Sequence, residues 1–131
     1  MREKPLILIV DDEKDFTEII GAKLEGLGCD VIDAQNWAAA AKQAQELQPD
    51  LILMDINMPG VSGIDAAIEM KKDPKTKNIR IAFLTSMKEP WPSLSGDNQA
   101  ISQEFGMDGF LEKTDDLDTL AGKIQEILAK P

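Results

Sequence analysis

Apolar runs and helix-spaced apolar positions alternate along the whole chain. Five short runs are continuously or almost continuously apolar, which is typical of strands that are covered on both faces. These runs are 6–10, 31–34, 51–54, 80–84 and 109–112. Strands that alternate with helices in this way predict an α/β fold, with a doubly wound parallel sheet between two helical layers.

Helical spacing predicts the connecting elements. Apolar residues recur at helical intervals in the segments 16–27, 37–47 and 117–128. We also expect a helix at about 64–72, which ends before Pro74, and a short helix at about 99–105. Gly28 has the position of a C-terminal helix glycine, and Asn36 that of an N-cap. The second helix is expected to bury Trp37 and the apolar positions that follow, Ala40, Ala41, Ala44 and Leu47. The segment 87–98 holds Pro90, Trp91, Pro92 and Gly96, and we predict a loop there.

Several of the predicted strands end on polar residues that can take part in catalysis or ligand binding. Asp11 and Asp12 follow the first strand, Asp55 follows the third, Thr85 the fourth and Lys113 the fifth. In a parallel sheet of this kind the ligand site lies outside the carboxyl ends of the strands. We therefore expect these five residues, scattered in sequence, to share one site.

Composition and charge narrow the function classes. The chain has 131 residues, which is the size of one domain, and its net charge of −10 disfavours contact with phosphate backbones. Proteins and cations are thus the expected partners, and nucleic acid is not. No apolar run approaches the length of a membrane span, and no secretion signal opens the chain, so we expect a cytoplasmic protein without a membrane partner. The absence of histidine removes the commonest general base and metal ligand.

The strand-end residues suit metal-assisted phosphoryl transfer. Clustered carboxylates repel one another, and a bound Mg²⁺ would relieve that repulsion. A carboxylate nucleophile, a hard cation, a lysine and a hydroxyl are sufficient for the reaction. Each residue also has a structural interpretation: Asp11 and Asp12 could stabilise a helix start, Asp55 could begin a turn, and Thr85 and Lys113 could be structural or solvated. The combination at matching strand ends favours a functional site.

At this point the sequence closely resembles the receiver domain of bacterial two-component response regulators, in its stand-alone, single-domain form. Four segments carry the resemblance: 10–13, 55–60 with Gly63, 83–86 and 109–113. The resemblance implies a flavodoxin-like, five-stranded parallel sheet in the order 2-1-3-4-5 with five helices. It also implies a phosphorylation-dependent switch rather than an enzyme acting on other molecules.

The resemblance also implies a role for each site residue. Asp55 would be the phosphoacceptor, modified to phospho-aspartate. Asp12 and Asp55 would ligate Mg²⁺, or Mn²⁺ in its place, with support from Asp11 and from the backbone carbonyl of Asn57. Thr85 would be the switch hydroxyl and Lys113 its cationic partner, while Phe110 would change rotamer with them. The phosphodonor would be a histidine kinase or a phosphotransfer protein, and the output surface would extend from about 99 to 128.

The chain departs from the family pattern in three places. Thr114 stands where a proline with a cis bond is usual, and we predict a trans bond because a non-proline cis bond costs about 2.5 to 4 kcal/mol. Ser86 supplies a second hydroxyl after Thr85. The loop 87–98 is longer than usual, and three interpretations stay open: it caps the site, it forms a partner surface, or it is an inert surface insertion.

Other functions remain open at the level of sequence. A phosphohydrolase of the haloacid dehalogenase type also uses a strand-end aspartate nucleophile, a hydroxyl and a lysine. It needs a second aspartate two positions after the nucleophile, however, where this chain has Asn57. A receiver-shaped interaction module that is never phosphorylated is a further alternative. A calcium loop at Asp11, Glu13 and Asp15 is disfavoured because the required glycine and terminal glutamate do not follow. Since the chain ends soon after its last helix, we expect one receiver domain over 1–131, which either relays the phosphoryl group or binds a target protein.

Overall fold

The computed structural model describes residues 4–56, 63–85, 107–113 and 116–130. Within these ranges, five strands and four helices follow one another. The strands are β1 (Leu6–Val10), β2 (Asp30–Ala34), β3 (Leu51–Asp55), β4 (Arg80–Thr85) and β5 (Gly109–Glu112). The helices are α1 (Lys14–Gly26), α2 (Trp37–Leu47), α3 (Gly63–Lys72) and α4 (Leu117–Ala129). The predicted helix 99–105, the loop 87–98, Asn57, Ser86 and Thr114 lie outside the described residues.

The five strands form one parallel sheet, as the sequence predicts. Its order is β2-β1-β3-β4-β5, so the chain first builds outward from β1 to β2 and then crosses to the other side. The crossing leaves β1 beside β3, with Val10 opposite Met54. The strand order therefore reverses at β1 and β3, where a ligand site is expected in such sheets.

The sheet separates two hydrophobic cores. Successive strand residues point to opposite faces, so each strand supplies alternate side chains to the two cores. Val10, Met54 and Phe83 belong to the core under α2 and α3. Ile9 and Leu53 belong to the core under α1 and α4, which also holds the buried Cys29. Both faces of the strands are covered, which explains why their sequences are apolar almost throughout.

The predicted helix boundaries are confirmed where they rest on a capping residue. Gly28 adopts φ +93°, a left-handed conformation suited to glycine, just after the end of α1. The Asn36 side chain accepts a hydrogen bond of 2.9 Å from the Ala39 N–H at the start of α2. The prediction that Leu47 is buried is wrong, since it is 42% exposed. It occupies the last residue of α2, and Gln48 then turns the chain away with φ 49°.

The C-terminal helix α4 is fastened to the sheet at the start of β4 and β5. The Arg80 guanidinium donates hydrogen bonds to the carbonyls of Ile127, Leu128 and Lys130 at the end of α4. A Cβ added to Gly109 would lie 2.7 Å from Ile127 Cδ1, so the missing side chain permits this close approach. In the described part of the chain, no helix is long and apolar enough to cross a membrane.

Candidate functional site

Asp55 is a charged side chain buried at the end of a central strand. It is the last residue of β3, pairs with Leu84 in the β3–β4 register and is only 2% exposed. The Ile56 N–H donates to the Leu84 carbonyl, which extends the ladder one residue past it. Carboxylates are rarely buried unless they are paired or bind a cation. The structure therefore places Asp55 at a strand end with little exposure to water, and its predicted chemical role stays a prediction.

Asp11 and Asp12 lie beside Asp55, across the β1–β3 boundary. The Asp11 N–H donates to the Ala34 carbonyl, and Asp11 Oδ1 accepts a 2.8 Å hydrogen bond from the Glu13 N–H. These contacts fix the turn that leads from β1 into α1. Asp11 is buried and Asp12 is exposed, and one carboxylate oxygen from each of Asp11, Asp12 and Asp55 lies within 4.8 Å of the others. Two adjacent acids and a third that is more than forty residues away in sequence thus share one small volume.

Lys113 brings a positive charge into this acidic cluster. Its N–H donates a 2.8 Å hydrogen bond to the Thr85 carbonyl, which holds the residue at the end of β5 beside β4. The side chain is 6% exposed, and its Nζ atom lies 2.6 Å from Asp11 Oδ2 and 3.4 Å from Asp55 Oδ2. The ammonium thereby offsets part of the negative charge at the site.

The site contains a strongly perturbed carboxyl group. Burial raises the pKa of Asp11 from its ordinary value of 3.8 to about 6, with the charge of Asp55 adding to the rise, although the Lys113 ammonium and the Glu13 N–H oppose it. Burial lowers the pKa of Lys113, but the contacts with Asp11 and Glu13 and the charge of Asp55 outweigh that effect, so the net pKa is raised. Lys113 is therefore fully protonated at neutral pH. Burial thus disfavours the charged form of Asp11 in the metal-free site.

Thr85 and Phe110 lie on the same face of the sheet. Phe83 is opposite Phe110 and Thr85 is opposite Glu112, so the hydroxyl and the ring belong to neighbouring strands and point to one side. Thr85 is fully buried and Phe110 is 3% exposed. The two residues that the family resemblance pairs as a switch therefore lie on one face of neighbouring strands, while their switch role stays a prediction.

The donor set fits Mg²⁺. Three carboxylates supply hard oxygen ligands at one side of the cluster, and the exposure of Asp12 leaves room for the several waters that Mg²⁺ normally keeps. Asp11, Asp12 and Asp55 would hold the ion. The predicted fourth contributor, the Asn57 carbonyl, lies outside the described residues.

Two residues that the sequence did not connect with the site also lie close to Lys113. Glu13 Oε1 lies 2.8 Å from Lys113 Nζ, and the Phe16 ring centroid is 4.9 Å from the same atom. The spacing of Phe16 predicts only a core position on α1, and it does pack partly buried against the core there. No sequence pattern connects either residue with Lys113, which is about one hundred positions away.

Comparisons with known proteins show to which family the chain belongs. The model of the family described as "Response regulator receiver domain" matches residues 7–125. The chain is 35% identical to the phosphate regulon transcriptional regulatory protein PhoB of Pseudomonas aeruginosa over 95% of its own length, but it spans only 52% of that protein. It is 33% identical to Protein PilH of the same organism, covering 94% of this chain and 97% of PilH.

A solved structure shows the same fold over the entire domain. A response regulator from Chloroflexus aurantiacus superposes with a TM-score of 0.84 at 26% identity, covering 98% of this chain and 100% of that chain. The match includes the sheet whose carboxyl edge holds Asp55 and its neighbours. Family model, relatives and fold agree that the chain belongs to the response regulator receiver domain family of two-component signalling.

Proposed function

We propose that this receiver domain is a switch that accepts a phosphoryl group on Asp55 in a Mg²⁺-dependent reaction. The observation that carries the proposal is the buried Asp55 carboxylate, within 4.8 Å of the Asp11 and Asp12 oxygens and 3.4 Å from the Lys113 ammonium. A structural carboxylate would not require two further acids beside it. A phosphoacceptor does require them, because the cation that these acids hold reduces the repulsion between the Asp55 carboxylate and an anionic phosphoryl group.

The proposed reaction is a direct transfer. A carboxylate oxygen of Asp55 attacks the phosphorus of a phosphohistidine on a histidine kinase or phosphotransfer protein. An O–P bond forms as the P–N bond breaks, and the histidine nitrogen departs with the electron pair. Mg²⁺ bound by Asp11, Asp12 and Asp55 would neutralise charge on the phosphoryl oxygens. Lys113 would stabilise the same oxygens with its positive charge, and the domain would catalyse only its own phosphorylation and dephosphorylation.

Thr85 and Phe110 would convert the new charge into a change of shape. Phosphorylation adds about −1.5 to −2 charges and several strong acceptors at Asp55. The Thr85 hydroxyl would turn toward the phosphoryl group, and the Phe110 ring on the same sheet face would move into the space that it leaves. The surface around β5 and α4 would then bind a target protein or allow the phosphoryl group to be passed on. We further propose that the domain acts in the cytoplasm, where a histidine kinase or phosphotransfer protein would reach it.

Asp55→Asn provides the direct test. Wild-type protein incubated with acetyl phosphate and Mg²⁺ should gain the mass of one phosphoryl group, and chelation of Mg²⁺ should prevent the gain. Asp55→Asn should not gain it, whereas Asp33→Asn, which removes an exposed acid from β2, should behave as the wild type does. Undiminished phosphorylation of Asp55→Asn would refute the assignment of the nucleophile.

A further inference from the structure

The Lys113 ammonium is shared among three carboxylates. Its Nζ atom lies 2.6 Å from Asp11, 2.8 Å from Glu13 and 3.4 Å from Asp55. The ammonium donates hydrogen bonds to Glu13 and Asp55, whereas the Asp11 contact is a close ion pair without hydrogen-bond geometry. A phosphoryl oxygen that binds Lys113 must therefore compete with these carboxylates for the ammonium.

The sharing is unequal, and it favours the side away from the phosphoacceptor. Charge-assisted N–H···O bonds are about 2.7–2.9 Å long. The Glu13 contact has such a length and the Asp11 contact is shorter still, whereas the 3.4 Å contact with Asp55 is long. Both short contacts come from the turn between β1 and α1. In the unphosphorylated protein the ammonium is thus drawn toward that turn and away from Asp55.

Binding of Mg²⁺ would remove only one of the two short contacts. Asp11 belongs to the cluster that would hold the ion, so its attraction for Lys113 would weaken. Glu13 is not in that cluster, and its carboxylate would continue to compete for the ammonium. On the basis of the proposed function, we propose that Glu13 is a positioning residue that holds Lys113 away from Asp55 and thereby disfavours the phosphorylated state.

The surroundings make this restraint weak enough to be released. The Glu13 side chain is 60% exposed, so it can turn into water without an unpaired buried charge. The Phe16 ring lies 4.9 Å from Nζ and still covers the ammonium when Glu13 leaves. Lys113 can therefore exchange Glu13 for a phosphoryl oxygen while its side chain stays largely buried.

Affinity for beryllofluoride, a mimic of the phosphoryl group, tests the inference. The dissociation constant is measured at saturating Mg²⁺ by ¹⁹F NMR, from the resonance of bound fluoride, for wild type, Glu13→Gln and Asp15→Asn. Asp15 is an exposed acid two positions from Glu13, and it has no ion pair with Lys113. Asp15→Asn therefore removes the same charge as Glu13→Gln without changing the contacts of Lys113. Glu13→Gln should bind about threefold more tightly than Asp15→Asn, a change of the size that an exposed ion pair provides.

The outcomes separate this inference from the proposed function. Tighter binding by Glu13→Gln alone supports the restraint, because damage to a purely structural contact would weaken binding. Equal affinities of Glu13→Gln and Asp15→Asn, or weaker binding by Glu13→Gln, would overturn it. If the wild type binds no beryllofluoride, or if Asp55→Asn binds it equally well, the proposed phosphoacceptor site itself fails.

Discussion

Replacing Asp11 by asparagine should make the metal-free protein more stable. Asp11 is buried, and its pKa is raised from 3.8 to about 6 by that burial, with Asp55 adding to the rise. The ionised form is therefore disfavoured in the folded protein by about 3 kcal/mol relative to the unfolded chain. Asparagine has no charge to bury and can still accept the Glu13 N–H hydrogen bond. The attraction of Lys113 is already included in this figure, because it lowers the same pKa.

The sign of the effect follows from the two pKa values. Between pH 3.8 and about 6 the folded protein binds more protons at Asp11 than the unfolded chain does, so the contribution of Asp11 to wild-type stability falls as pH rises through this window. Above about pH 6 the folded protein bears the full free-energy cost of an ionised Asp11. The gain from Asp11→Asn should thus be about 3 kcal/mol at pH 7.5 and about 1 kcal/mol at pH 4.5.

Urea denaturation with a chelator at the two pH values measures the gain. Asp33→Asn, at an exposed position, is the matched control and should change the free energy of unfolding by no more than about 0.5 kcal/mol. Saturating Mg²⁺ should reduce the advantage of Asp11→Asn, since ligand binding stabilises the wild type by about 2.7 kcal/mol at one hundred times its Kd. The reasoning is refuted if Asp11→Asn gains no more than Asp33→Asn at pH 7.5, or gains equally at both pH values.

Three further predictions concern the metal and the fold. Saturating Mg²⁺ should raise the melting temperature of the wild type, and Asp12→Asn should lose most of that rise while melting normally with a chelator; an equal rise in both proteins would exclude Asp12 as a ligand. Arg80→Met should lower the free energy of unfolding in urea by about 2 kcal/mol, since carbonyls at the end of α4 lose a charged donor; unchanged stability would show that these bonds contribute nothing. Gly109→Ala should destabilise by about 1 kcal/mol through contact with Ile127 Cδ1. Ile127→Val lacks that atom, so the two changes together should cost less than their sum, and strict additivity would contradict the contact.

The sheet could be predicted from sequence because its signals are local. Strands that are buried on both faces are apolar without interruption, and Gly28 and Asn36 mark helix ends through their own backbone and side-chain preferences. Leu47 was misassigned because helical spacing does not show where α2 leaves the sheet. Spacing states which residues share a helix face, but the neighbouring element decides how far along the helix that face is covered.

The sequence predicts which residues meet at the candidate site, but it does not predict the distances between their side chains. Parallel strands bring their carboxyl ends to one edge, so topology alone collects Asp11, Asp55 and Lys113. The distances from Lys113 Nζ to its three partners depend on side-chain directions set by separate elements. Glu13 comes from a turn that no periodicity describes, and its contact with Lys113 spans about one hundred residues of sequence. Pairings of this kind appear only in three dimensions.

The single sheet between the two cores has a consequence for how this domain can change over evolution. Side chains under α2 and α3 touch one face of the strands and those under α1 and α4 the other, so substitutions in one layer have few direct neighbours in the opposite layer. Effects of such distant changes should largely add. One helical layer could therefore diversify toward new binding partners while the other is preserved. Both layers remain attached to the same strands, whose ends keep the acids in place.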